Sequence, residues 1–225
     1  MIELHNVTKY FKSNRGRKYI MRNVNLTIPS GVNVGILGRN GAGKSTMMRM
    51  LGQIEFPNKG KIISSNSFSW PLALSTSFVP GMTGRANVKF VCKLYGKNDA
   101  EVKSIIEYVK EFSELNNYFD MPISSYSSGM RSRLSFGLSL SFDFDYLLID
   151  ETLSTGDARF KGKATKALQE KIEKCNVLLV GHQMKILKDI CQAGIVLNNG
   201  QAYYFNDIND AVKEYEMLNN TEGTQ

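Results

Sequence analysis

The chain has 225 residues, 42% hydrophobic and 22% charged, a composition for one or two globular domains and not for a disordered polymer. Lys and Arg number 28 against 21 Asp and Glu, a formal charge of +7. Three cysteines, Cys92, Cys175 and Cys191, exclude a disulfide scaffold and read as reduced, intracellular thiols.

Residues 2–10 alternate as a half-buried strand, followed by a basic, glycine-containing turn over 12–18. A second β-like stretch, 20–28, ends in the turn signal Pro29-Ser30-Gly31. Residues 32–37 read as a short buried strand, the glycine-dense 38–43 as a loop, and 44–52 as a helix. A strand follows over 61–64. Residues 66–82 mix Trp70, Pro71 and Pro80 with small polar residues and read mostly as loop.

Helices are expected over 85–94 and 100–112, the second with Val102, Ile105, Ile106 and Val109 at helical spacing. A further helix from Gly129 carries Leu134, Leu138 and Leu140. Residues 83–140 then form a mainly helical insert within a single domain spanning 1–225. The apolar strand 146–149 ends in Asp150-Glu151, a helix covers 159–175, a strand 177–180 and a short helix 184–190. Residues 195–197 and 202–205 flank Asn198-Asn199-Gly200 as a hairpin. A closing helix over 207–218 leaves 219–225 to fray.

The segment Gly38-Arg39-Asn40-Gly41-Ala42-Gly43-Lys44-Ser45 satisfies the G-x-x-x-x-G-K-[ST] pattern after an apolar strand. Glycines let several N–H groups converge as an anion nest, and the following helix adds its positive end. Lys44 can reach the β- and γ-phosphates of a nucleotide, the Ser45 hydroxyl can hold Mg²⁺, and Thr46 supports the α-phosphate region. The metal also needs a carboxylate from a neighbouring strand. Asp150, at the carboxyl end of 146–149, is placed to supply it. Glu151, aimed differently, could take a proton from the attacking water.

Ser127-Ser128-Gly129 opens a helix and resembles a second phosphate site. One nucleotide already has its phosphates held by residues 38–45, so a second site needs its own explanation.

These motifs, in this order, resemble the ATP-binding-cassette family over nearly the whole chain. Residues 38–46 match its Walker A loop, and 146–151 its Walker B strand with the following glutamate. Residues 127–130 match a variant signature motif, Ser-Ser-Gly-Met. Ser154-Thr155-Gly156-Asp157 matches the D-loop, and His182 falls at the switch histidine. Tyr10 looks like the aromatic that stacks on adenine, with Phe11 and Tyr19 near enough to compete. Within the family the chain is most similar to the ATPase subunits that export capsular polysaccharides and related cell-surface glycans. That likeness rests on the short single domain, Ser69-Trp70-Pro71-Leu72-Ala73-Leu74, Met82-Thr83-Gly84-Arg85-Ala86-Asn87-Val88 and the variant signature.

The resemblance implies an α/β fold: a P-loop NTPase (RecA-like) core, an N-terminal antiparallel β subdomain and an inserted helical subdomain. It implies ATP and Mg²⁺ as cofactors, and a homodimer closing on two ATPs. Ser128-Gly129 of one chain would cover the γ-phosphate held by Lys44, Ser45 and Asp150 of the other. Glu151 would polarise water, His182 would contact the γ-phosphate, and Asp157 would join the two sites. The motion would drive a separate transmembrane permease, placing the chain peripherally at the cytoplasmic face of a bacterial inner membrane.

One departure stands out. The family's loop glutamine, which contacts Mg²⁺, has no counterpart, for the chain lacks glutamine between Gln53 and Gln169. Ser75, Thr76 or Ser77 could partly replace it. Trp70, Pro71, Leu72, Leu74 and Phe78 form an apolar patch, read either as packing under the insert or as a cleft for a permease helix.

The basic residues are scattered, apart from local clusters at 9–18 and 161–166, and no zinc-finger or nucleic-acid motif accompanies them. Two histidines argue against a zinc site. The longest apolar runs fall far short of the roughly 18 residues that cross a bilayer, and residues 1–20 lack a signal-peptide pattern. Two other classes remain in view, a DNA-repair or translation ATPase of this family and a non-catalytic nucleotide-gated module. The first usually needs a coiled coil or second cassette, and intact Lys44, Asp150, Glu151 and His182 argue against the second.

Overall fold

The computed structural model describes residues 1–14, 16–71, 78–150, 158–181 and 183–221. They fall into two compact units, one holding 1–71, 144–150 and 175–221, the other 78–143 and 158–174.

In the first unit an antiparallel sheet has β1 (Ile2–Ser13) between β2 (Gly16–Ile28) and β4 (Lys59–Ser64). The basic stretch expected as a turn over 12–18 is instead largely paired strand. Phe11 lies opposite Lys18, Lys12 opposite Arg17 and Ser13 opposite Gly16. Exposed strand positions accept any charge, so a solvated ribbon and a polar turn look alike in composition.

The second sheet runs β5 (Tyr146–Asp150), β6 (Asn176–Val180), β3 (Val34–Gly38), β7 (Ala193–Asn198), β8 (Gln201–Phe205). Its first four strands are parallel and β8 is antiparallel to β7. All five residues of β3 are buried. A parallel strand covered on both faces reads as an unbroken apolar run, which is why these strands were legible. Helix α1 (Lys44–Leu51) buries Met47, Met48, Met50 and Leu51 in a cluster with Ile2, Leu4 and Val24 of the first sheet and Ile36, Leu148 and Ile195 of the second. One core therefore serves both sheets and fixes the loop between β3 and α1.

Within residues 66–82, read as mostly loop, no strand or helix forms among the described residues, but 67–69 bond along β5 through an isolated bridge at Phe68. Tyr146 N donates to Ser67 O at 3.0 Å, Ser69 N to Tyr146 O at 2.9 Å and Leu148 N to Ser69 Oγ at 2.9 Å. Phe68 stacks on Tyr146 and Trp70 meets Phe144 edge-on, each 5.6 Å between centroids. Of the apolar patch, Trp70 and Pro71 are thus packed in the first unit, while Leu72, Leu74 and the candidates Ser75, Thr76 and Ser77 lie outside the described residues.

The β7–β8 hairpin turns at Asn199 and Gly200, with φ of 47° and 79°, a type I′ geometry. Helices α6 (Met184–Ile190) and α7 (Ile208–Thr221) complete this unit. Residues 219–221, expected to fray, continue α7.

The second unit contains α2 (Gly84–Leu94), α3 (Asp99–Ser113), α4 (Ser128–Leu140) and α5 (Ala158–Ile172). Helix α5, far along the chain from the expected insert, packs here. Phe112 of α3 stacks on Phe136 of α4 at 6.0 Å and meets Phe160 of α5 edge-on at 5.6 Å. Lys163 donates to Phe112 O at 3.0 Å and to Glu114 Oε1 at 3.0 Å. A capping box starts α3: Asn98 Oδ1 accepts from Glu101 N at 3.0 Å, and Glu101 Oε2 accepts from Asn98 N at 2.9 Å.

The run 82–88 serves the packing of this unit. Thr83 caps α2, its hydroxyl accepting from Ala86 N at 3.1 Å. A Cβ on Gly84 would sit 2.4 Å from the Tyr126 hydroxyl. Burial pushes that phenol up to about 12, and it donates to Tyr118 O at 2.6 Å. Asn87, 1% exposed, accepts from Val79 N at 2.8 Å and donates to the carbonyls of Val79, Met82 and Thr83. Among the described residues no helix is long and apolar enough to cross a membrane.

Candidate active site

The glycine loop leaves β3 at its carboxyl end and enters α1 through Gly43, in a left-handed conformation with φ 106°. No side chain caps α1, so its first N–H groups face outward for an anion. Ala42 N donates to Arg39 O at 3.0 Å, tightening the turn. The buried Lys44 amine donates to Gly38 O at 2.5 Å and Arg39 O at 3.1 Å, which bends its charge back across the loop mouth. Thr46 is buried, and its hydroxyl accepts from Arg49 at 3.4 Å.

Asp150 ends β5, two strands from β3, yet its Oδ2 accepts from Ser45 Oγ at 3.4 Å. The sheet order thus joins residues far apart in sequence at the carboxyl ends of parallel strands. A hydroxyl and a carboxylate are hard oxygen donors suited to Mg²⁺, and the uncapped helix start with its lysine suits a polyphosphate.

Tyr10 and Tyr19 face one another across β1 and β2, with ring centroids 5.3 Å apart and planes tilted by 52°. Phe11 is engaged separately, with Lys9 Nζ 5.2 Å from its ring centroid. The next residue after Tyr19, Ile20, lies where the register shifts between Lys9 opposite Met21 and Tyr10 opposite Tyr19. Its side chain lies against Gly43, where a Cβ would come within 2.6 Å of Ile20 Cγ2. The aromatic pair is therefore one residue from the phosphate loop. No sequence pattern announces a bulge at Ile20, so this link was not legible.

In the second unit Ser127 caps α4, accepting from Met130 N at 3.2 Å. Ser127 and Ser128 are exposed, and Gly129 is half-buried. Ser127, Gly129 and Met130 border a cavity of about 540 Å³ that also has Glu114, Asn116 and Arg133 in its wall. Glu114 and Asn116 hold left-handed backbone, φ 53° and 49°. Asn commonly enters that region and Glu rarely does, and nothing in the sequence ties residues 114–116 to Ser127 as one wall. The sequence candidates Glu151, Asp157 and His182 lie outside the described residues.

Residues 21–154 match the model of the ABC transporter family. The chain belongs to that family. Over 218 residues it is 47% identical to the polysialic acid transport ATP-binding protein KpsT of Escherichia coli, covering 96% of this chain and 97% of the relative. It is 42% identical to the ATP-binding protein BexA of Haemophilus influenzae, covering 99% of this chain and 100% of that one. With the capsule polysaccharide export ATP-binding protein CtrD of Neisseria meningitidis it shares 39% over 97% of this chain and 100% of the relative. Among solved structures, an ATP-binding subunit of an ABC transporter superposes with a TM-score of 0.77 at 17% identity, covering 96% of this chain and 93% of that one. The ATP-binding cassette MJ0796, a dimer in a post-hydrolysis state bound to ADP and Pi, gives 0.73 at 21%, covering 92% and 98%. At such identities these two speak for the fold alone.

The fold expected from the sequence is the one observed: a P-loop, RecA-like core with an N-terminal β subdomain and inserted helices. The chain is an ABC ATPase subunit, related to the ATP-binding subunits of capsular polysaccharide exporters. It couples ATP hydrolysis to transport.

Proposed function

We propose that this subunit powers export of a capsular polysaccharide or related cell-surface glycan through a separate transmembrane permease, which holds it at the cytoplasmic face of a bacterial inner membrane. One observation carries the cargo class: likeness to a protein named for polysialic acid transport extends over 96% of the chain at 47% identity. Residues 1–225 act in this reading as a single nucleotide-binding domain.

The loop from Gly38 to Ser45 holds the phosphates, with Lys44 exchanging its carbonyl partners for phosphate oxygens. Ser45 and Asp150 hold Mg²⁺, which neutralises charge on the β- and γ-phosphates when bound. Glu151 takes a proton from the attacking water, and His182 fixes that water against the γ-phosphate. Ser127, Ser128 and Gly129 of a second copy supply the opposite wall, and Asp157 links the two sites. Donors from both chains converge on one γ-phosphate, so closure requires ATP and cleavage releases it.

The test is chromosomal Lys44→Ala in the native host, with surface and internal glycan measured separately. Glycan is expected to accumulate inside and vanish from the surface. Surface glycan at the ordinary level would overturn the reading.

A further inference from the structure

Helix α3 ends at Glu114, whose backbone is left-handed with φ 53° and ψ 31°. Glycine closes helices in that conformation without strain, and glutamate rarely enters it. A glycine would therefore end α3 more easily. What glutamate adds is a carboxylate, and the surroundings show what it holds.

Glu114 Oε1 accepts from Lys163 Nζ of α5 at 3.0 Å, and its Oε2 lies 3.9 Å from Arg133 Nη1 of α4. Lys163 Nζ also donates to Phe112 O at 3.0 Å and to Glu111 O at 3.3 Å, at the carboxyl end of α3. Arg133 Cζ lies 4.5 Å from the ring centroid of Phe160 on α5, within cation–π reach. Each pair among α3, α4 and α5 is thus joined by Glu114 or by a cation that it holds. Glu114 and Lys163 are 33% and 36% exposed, so their ion pair adds little to overall stability. Its effect falls on how the three helices are set. Helix α4 begins at Ser128, and α5 follows directly on Asp157 in the chain. Glu114 and Arg133 stand in the wall of the same cavity as Ser127, Gly129 and Met130.

We propose that Glu114 is a positioning residue for ATP hydrolysis: its carboxylate sets α4 against α5, and with them the serine–glycine segment and Asp157 that one copy presents to the nucleotide of another. The proposal rests on the reading that Ser127 to Gly129 and Asp157 serve a nucleotide bound by a second copy. Glu114 acts through the two helices and not by contact with the nucleotide. The phosphate loop of its own chain lies in the other unit, so nucleotide binding there is independent of it. A glycine at this position would relax the backbone and leave Lys163 and Arg133 without the charge that holds both.

The experiment combines calorimetric titration of the full-length chain with MgADP and its turnover at saturating MgATP, counted per chain that binds MgADP. Glu114→Gly is expected to bind MgADP as the wild type does and to lose turnover by about two- to thirtyfold. Glu114→Asp, which keeps the charge on a shorter arm, should stand between the two. Wild-type turnover in Glu114→Gly overturns the proposal. So does MgADP binding weakened by the same factor as turnover, because Glu114 would then support the fold at large. A Glu114→Asp variant no better than Glu114→Gly also overturns it, since the carboxylate would not be what matters. Ser128→Glu, which sets a carboxylate on the exposed wall, is the separate control: full turnover in it means that the second-copy reading itself fails, whatever Glu114 does.

Discussion

Gly43 shows how much of the site depends on one missing methyl group. Its φ of 106° is a region that side chains rarely enter, and an added Cβ would meet Ile20 Cγ2 at 2.6 Å. Gly43→Ala is expected to cost about 1–3 kcal/mol, through backbone strain and displacement of Ile20. The urea midpoint measures this cost, and loss of MgADP binding reports the accompanying distortion of the loop. An unchanged midpoint would mean that the loop relaxes without penalty. The pattern around Gly43 was readable because turn, anion nest, charge and hydroxyl each demand a particular residue type at a fixed place. Its partner Ile20 was not readable, since contact with the loop arises from a strand bulge and not from residue type.

Between residues and the whole chain, Asn87 does for α2 what a cap does for a helix end. It ties the backbone of residues 79–83 to the helix through one buried amide. Asn87→Ala would leave an N–H and three carbonyls to find new partners, an expected loss of about 2–3 kcal/mol. Asn87→Asp should be comparably costly, because it replaces the amide donor with a charge. Thermal melts of both variants check this, and a wild-type melt for either would show that residues 79–83 are held by other means. Elements with an unbroken apolar run, β3, β5 and β6, or with a helical apolar period, α3, were legible to within a residue or two. The tip of the β1–β2 ribbon, read as a turn over 12–18, and the bonding of residues 67–69 to β5 were not, because Lys, Arg and Ser at exposed extended positions carry no period. The end of α7 was missed for a related reason: Asn219, Asn220 and Thr221 are poor helix formers that still extend a helix already nucleated by its packed face.

For the molecule as a whole, ligand binding and stability are one equilibrium. A nucleotide at 100 times its dissociation constant stabilises the folded chain by about 2.7 kcal/mol, or about 5–10 °C in a chain this long. MgATP added to a Glu151→Gln variant should raise the calorimetric transition by that amount, and a further Lys44→Ala change should abolish the rise. A rise that survives loss of Lys44 would place the nucleotide elsewhere. Ser67 to Trp70 have a consequence at the same scale. Strand β5 is the last of its sheet and carries Tyr-Leu-Leu-Ile, the kind of bare apolar margin on which chains add to one another and precipitate. The serine-rich strip spends the bonding groups of Tyr146 and Leu148 within the same chain. Along Tyr146 and Leu148 that margin is therefore already bonded within the chain and offers no open row there for a second copy to extend.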